Sequence, residues 1–249
     1  MKVIYHPDYQ KVYDSDPAAE PGRMEAILKE LKGHYDFLEP EPASEDDLKR
    51  VHTENHIDSI KRNPPLYEVA CLSAGGAILA AELAIDKEPS FGLIRPPGHH
   101  ASADSCWGFC FFNNIAVALA KLKQAKKISR AFILDFDLHY GDGTNNIFSG
   151  SQIIYFQPHA GDRQSFLEEI RGRLELEKEY QVLAVSAGFD RHEEDWGRML
   201  TTDDYRTIGK SVKEASQNTC QGKRFALLEG GYNHRVLGKN VKAFLEGFE

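Results

Sequence analysis

Residues 131–144 read AFILDFDLHYGDGT, four apolar residues running without a break into aspartates, a histidine and glycines. A continuous apolar run this short reads as a strand of a parallel sheet, buried on both faces. If the strand carries on through the polar part, period-two alternation puts Asp135, Asp137 and His139 on one face and Phe136 and Leu138 on the other. Gly141-Asp142-Gly143-Thr144 then reads as a tight turn that aims Asp142 back at the strand end. Two carboxylates and an imidazole on one face are ligand chemistry. On an isolated loop in water the same residues would carry nothing, so the reading depends on what else the chain brings to that place.

The pattern recurs three times. Phe91-Gly92-Leu93-Ile94 runs into RPPGHHA (95–101), Val182-Leu183-Ala184-Val185 into SAGFD (186–190), and Phe225-Ala226-Leu227-Leu228 into LEGGYN (228–233). Four such strands predict an α/β fold of one domain over 1–249, a central, mainly parallel sheet with helices on both faces. In open sheets of that class ligands bind beyond the carboxyl ends of the strands. A catalytic zinc usually has three protein ligands and one open position. Asp137 and His139 supply two, and Asp190 is the best third. Zinc suits these donors, although an oxygen-rich set also admits Fe2+, Mn2+ or Co2+. His99 and His100, after the stiff Pro96-Pro97-Gly98, are acid/base candidates, with Asp135 and Asp142 as spare carboxylates to fix their tautomers. Tyr232 follows Gly230-Gly231 and offers a phenol to a developing oxyanion. Each residue also has a bland reading, a solvated histidine pair or a packed tyrosine; the shared sheet edge favours chemistry.

These motifs, with His6-Pro7, Pro21-Gly22-Arg23, Val51-His52-Thr53 and Gly108-Phe109-Cys110, resemble in order and over nearly the whole chain the zinc-dependent histone deacetylase and acetylpolyamine amidohydrolase family. The resemblance implies the arginase/deacetylase three-layer fold and a metal held by Asp137, His139 and Asp190. It implies that His100 is the general base toward the attacking water and later protonates the amine, while His99 gives electrostatic help. Asp135 would orient His99 and Asp142 would orient His100. Tyr232 would hydrogen-bond the amide carbonyl and then the oxyanion. Gly108, Phe109 and Gly231 would belong to the slot for the acyl-bearing chain, and Arg23 to the neighbourhood of an internal acetate cavity. A structural potassium ion beside Asp135, Asp137 and His139 is implied as well, held mostly by backbone oxygens.

The chain departs from that pattern in its loops. Between Ile153-Ile154-Tyr155-Phe156 and Ala187-Gly188-Phe189-Asp190 it is shorter than the eukaryotic deacetylases, so a second aromatic slot wall is expected to be missing. The stretch from Pro64-Pro65-Leu66 to Ala74-Gly75-Gly76 is too short for the loop whose aspartate grips a peptide backbone. Both put histone-tail recognition in doubt. Tyr140 stands where many relatives have a histidine, and Trp196 is expected to form a flat wall at the slot mouth rather than a core position.

Composition agrees with a compact soluble enzyme of 249 residues, 41% hydrophobic. A net charge of −8 argues against nucleic acid, which calls for a basic patch. No apolar stretch reaches membrane-spanning length and the start lacks a signal-peptide core, so a cytoplasmic location is expected. Cys71, Cys106, Cys110 and Cys220 form no CxxC pair and read as reduced, packed thiols, with Cys106 and Cys110 a conceivable redox pair. Apolar stripes predict helices: Met24-Ile27-Leu28-Leu31 with Pro21 in its first turn, one capped by Ser44 with Asp47, Ile115-Leu119-Leu122, Leu167-Ile170-Leu174, Tyr205-Ile208-Val212-Ala215 after Thr202, and Val236-Val241-Phe244-Leu245. Three functions fit: a metal-dependent amidohydrolase acting on acyl-lysine or acylated small amines, a two-metal ureohydrolase, and a silent acyl-ligand binding protein. The single DxDxH and the full set of presumed catalytic residues favour the first. The oligomeric state is not legible.

Overall fold

The four apolar runs form the contiguous middle of a seven-stranded sheet. In the computed structural model, which describes residues 1–249, the strands are β1 (Lys2–Ile4), β2 (Asp36–Leu38), β3 (Ser90–Gly92), β4 (Ala131–Asp135), β5 (Ile153–Phe156), β6 (Leu183–Ala187) and β7 (Arg224–Leu228). Their order is β2-β1-β3-β7-β6-β4-β5. All pairs are parallel. Every residue of β3, β4, β6 and β7 is buried, which is why these strands read as unbroken apolar runs.

The helices are α1 (Arg23–Leu31), α2 (Glu45–Leu48), α3 (Glu54–Lys61), α4 (Pro64–Ile85), α5 (Asn114–Gln124), α6 (Asp142–Phe148), α7 (Arg163–Leu176), α8 (Thr202–Cys220) and α9 (His234–Phe248). α4 packs on β1, β3, β7 and α5, whereas α8 packs on β6, β7 and α9, which also holds α1. A single cluster of 67 buried residues runs through the layers, so the molecule has one core. Register places Asp135 beside Ser186 and Ala187 beside Leu228. The strands therefore end level, and the segments after β3, β4, β6 and β7 meet at one edge.

Several expectations are corrected. β4 stops at Asp135, and Asp137 and His139 lie in the loop beyond it. The Gly141–Thr144 turn is the start of α6, with Gly141 as its N-cap. Pro21 precedes α1, whose N-cap is Gly22 at φ +88°, and α8 begins at Thr202 itself, with Thr201 as N-cap in a capping box with Asp204. The Ser44–Asp47 box is present at α2. α4 passes through the 64–76 stretch without a break, so no loop exists there at all. That 22-residue helix is also long and apolar enough to cross a membrane by length and composition. Its window is 72% buried because sheet, α3 and α5 surround it, which makes it a core helix.

Close packing of α4 turns on Gly75. A Cβ there would sit 1.9 Å from the Glu41 carbonyl oxygen and 2.8 Å from the Ala43 nitrogen. Gly75→Ala is expected to lower unfolding free energy by about 1–3 kcal/mol in urea titrations. Gly172, in α7 with nothing within 4 Å, should gain roughly 0.5–1 kcal/mol when changed to Ala.

Candidate active site

Backbone donors turn from the sheet to carboxylates at the end of β4. The Phe136 N–H still reaches the Ser186 carbonyl at 3.1 Å. Next, Asp135 Oδ1 accepts from the Asp137 N–H at 3.0 Å, Asp190 Oδ1 from the Leu138 N–H at 3.0 Å, and Asp137 Oδ1 from the His139 N–H at 2.9 Å. The alternation expected of a strand survives locally, since Phe136 is buried against Phe189 and Phe244. Ligand atoms of Asp137, His139 and Asp190 all lie within 4.8 Å of one another. The backbone closes over them at glycines: a Cβ on Gly188 would meet Asp137 Oδ2 at 2.0 Å, and one on Gly230 would meet Asp190 Oδ2 at 2.8 Å.

The electrostatics of this group call for a cation. Burial and the neighbouring Asp137 push Asp190 up to about 6. Burial works the same way on Asp137, but His99 and His139 outweigh it and hold that carboxyl well below the usual range. Hydrogen bonds to Asp137 and Asp190 push the His139 imidazolium up to about 10. Asp190 Oδ2 is buried without a satisfactory hydrogen bond, although His139 Nδ1 lies 3.1 Å away. Two carboxylates, one imidazole and an uncommitted buried oxygen fit a divalent metal of the zinc type. A second buried cluster, His99, Cys110 and Glu229, fits one poorly. Burial keeps the Cys110 thiol protonated, and the Glu229 oxygens accept from the Gly98 N–H, the His99 N–H and the Ser186 hydroxyl.

Both histidines have carboxylate partners. His99 Nδ1 lies 3.0 Å from Asp135 Oδ2 and its Nε2 3.8 Å from Asp137 Oδ1. Burial opposes its charge, but Asp137 and Asp135 prevail and raise its pKa. His100 Nδ1 lies 2.8 Å from Asp142 Oδ1, the first residue of α6. Burial and the nearby His99 lower its pKa against the pull of Asp142, so the ring is neutral with Nε2 free to accept a proton. Tyr232 stays protonated because burial, Asp137 and Asp190 all raise its pKa. Its backbone N–H and that of Asn233 donate to Asp195 Oδ2 at 2.8 Å each. Arg23 braces the same turn from behind, donating to the carbonyls of Gly231 (2.8 Å) and Glu229 (2.5 Å) under the Tyr232 ring. Its Nη1 is buried and unpartnered.

Aromatic rings surround the group. Phe109, at φ +66° after Gly108 at φ +60°, meets Tyr232 edge-on at 6.1 Å. Trp196 is 49% exposed, stacks on Tyr232 at 4.0 Å and stands edge-on to His139 at 5.7 Å, so it is not a core residue. A cleft of about 830 Å3 lined by Glu193, Glu194, Asp195, Trp196, Arg198, Tyr232 and Asn233 opens beside it, and none of the three presumed ligands lines that cleft. Tyr140 packs on Tyr155. All four cysteines are free.

Sequence reasoning missed several residues of the site. Trp107 packs on His100 with the rings tilted and their centroids 4.0 Å apart, and donates its indole N–H to Asp142 Oδ2 at 2.8 Å. Its position one residue before Gly108 was the available signal. Gln157, Tyr155 and Arg191 carry no motif. Gln157 and Arg191 bond the carbonyls of Asp137, Leu138 and His139, so of the positions expected to hold potassium (Asp135, Asp137 and His139) two have their carbonyl oxygens engaged by protein donors, which fits that ion poorly.

A profile of the histone deacetylase domain matches residues 18–166 and 167–248. A "Probable deacetylase" of Methanothermobacter thermautotrophicus is 31% identical over 305 aligned positions, covering 100% of this chain and 91% of that protein. A "Histone deacetylase-like amidohydrolase" of Pseudomonas aeruginosa is 32% identical, covering 77% of the chain and 65% of that protein. The solved HDA15 HD domain superposes with a TM-score of 0.82 at 22% identity, over 99% of this chain and 88% of that one, a likeness of fold. With the domain profile spanning almost the whole sequence and this chain matched along its full length to the Methanothermobacter relative, the chain belongs to the histone deacetylase family.

Proposed function

We propose that the protein is a zinc-dependent deacetylase that hydrolyses the amide of an N-acyl-lysine or an acylated small amine. One observation carries the reading: three metal-type donors within 4.8 Å of one another stand beside a neutral His100 paired with the Asp142 carboxylate and a protonated Tyr232. A divalent metal held by Asp137, His139 and Asp190 would supply Lewis acidity toward the carbonyl and lower the pKa of water. His100 accepts the proton of the attacking water at Nε2 and returns it to the departing amine. Asp142 accepts a hydrogen bond from the His100 Nδ1–H and so leaves Nε2 unprotonated. Tyr232 donates to the carbonyl oxygen as its charge grows, and His99, charged between Asp135 and Asp137, adds a positive field. Phe109, Gly108, Gly231 and Trp196 enclose the alkyl stem, and Trp107 shields His100 from water.

The continuous α4 and the short β5–β6 connection favour small acylated amines or loosely held peptides over a gripped histone tail. Exposed Glu193 and Glu194 beside Trp196 suit a substrate with a distant ammonium group. A cytoplasmic location and the absence of nucleic-acid and membrane partners are part of this proposal.

Acetate release from an acetyl-lysine peptide and from an acetylated polyamine, by zinc-loaded and by chelated protein, tests the reading. Release lost on chelation supports it, and no release from either substrate or from longer acyl amines would sink it. His100→Ala and Tyr232→Phe are each expected to lower kcat/KM by about 10²- to 10³-fold with zinc still bound, as metal analysis of the variants can check. Zinc affinity should weaken as pH falls. Free protein keeps a proton on His139 up to about pH 10, so near neutrality zinc must displace it, and the dissociation constant should rise about tenfold per pH unit of acidification. Competition with a chelator across pH 6–8 would measure this. Trp196→Ala should change the relative turnover of long and short acyl amines; an unchanged ratio would remove Trp196 from the slot.

A further inference from the structure

Gln157 follows β5, is 4% exposed, and has both polar atoms of its amide engaged inside the protein. Its Nε2 donates to the carbonyls of Asp137 at 2.8 Å and His139 at 2.9 Å. Its Oε1 accepts from the Gly141 N–H at 3.0 Å and lies 2.7 Å from the Tyr155 hydroxyl. An oxygen facing a backbone N–H and a nitrogen facing two carbonyls fix which way the amide points. The Tyr155 hydroxyl also lies 2.9 Å from Asp135 Oδ2, which ties the amide to the carboxylate that orients His99.

Arg191 approaches the same loop separately. Its Nε donates to the Asp137 carbonyl at 3.1 Å and its Nη2 to the Leu138 carbonyl at 3.4 Å, with the guanidinium 4.6 Å above the Phe166 ring. The Asp137 carbonyl thus has a donor for each lone pair, and three successive carbonyls are all engaged. Converging carbonyl dipoles need a positive partner in a dry interior. A monovalent cation can supply it, and so can amide N–H groups together with one guanidinium, which stay covalently attached.

We propose that Gln157 and Arg191 are positioning residues for the metal ligands and take the place of a monovalent cation beneath them, so that the ligand loop of this chain holds its geometry without potassium. The inference rests on the metal assignment above only through its zinc readout. Gln157 reaches Asp137 and His139 through their backbones while their side chains serve the metal, so it sets where those side chains point. Removing such a brace typically weakens metal binding 10- to 100-fold.

The test compares zinc-loaded protein in KCl and in tetramethylammonium chloride at equal ionic strength, reading melting temperature and zinc dissociation constant. Unaltered protein is expected to give the same values in both salts. Gln157→Glu keeps the side-chain length but turns a carboxylate toward the two carbonyls. It should bind zinc at least about tenfold more weakly in tetramethylammonium chloride and recover with added KCl. A saturable rise in the melting temperature of unaltered protein with KCl alone would overturn the proposal, and that measurement stands even if the variant does not fold. So would a Gln157→Glu variant indistinguishable from unaltered protein in both salts. Protein that melts independently of potassium yet binds no divalent metal would instead remove the metal assignment and leave the brace standing.

Discussion

The carboxylates of Asp135, Asp137 and Asp190 are all buried within one small volume, and much of the architecture answers the cost of placing them there. Backbone N–H groups of residues 137, 138, 139 and 230 point at them. His99 and His139 bring positive charge. The glycines at 188 and 230 let the chain close in without side chains in the way. An all-parallel sheet whose strands end level delivers these donors from different parts of the sequence to one place. The central strands are apolar along most of their length and carry polar partners of the site only near their ends, Asp135 in β4 and Ser186 in β6.

That division explains what could be read beforehand. The four central strands and most helices were legible because burial on two faces, or on one stripe, leaves a direct mark on residue type. β1 and β2 were not, because they are short and not buried throughout, so neither leaves an unbroken apolar run, and α4 was missed because its Ala- and Gly-rich surface is buried nearly all round and has no polar face to set a period. The end of β4 was misplaced because alternation of polar and apolar residues continues past Asp135, while the hydrogen bonds pass from neighbouring strands to carboxylates. Alternation reports which way side chains point; it does not report where the backbone finds its partners.

Within the site, residues that face the reacting centre stood in recognisable clusters, whereas those that hold them did not. Trp107, Gln157, Tyr155 and Arg191 act through single long side chains from loops or strand ends, and any residue able to reach the same backbone oxygen or carboxylate would serve. Apart from Trp107, which adjoins Gly108, such positions leave no spacing rule in the sequence. Arg23 was noticed through resemblance, yet its bonds are to the carbonyls of 229 and 231, which makes it a brace for the turn that carries Tyr232.

Asp195 joins two things that enzymes of this kind could in principle tune separately. Five residues after Asp190, its carboxylate grips the backbone of Tyr232 and Asn233, and the next residue in the loop is Trp196, stacked on the tyrosine ring. A shift of that loop to admit a bulkier guest drags the phenol with it. Under the proposed mechanism, breadth of substrate range and speed of turnover are thereby geared together, and widening the entrance would call for re-anchoring the tyrosine.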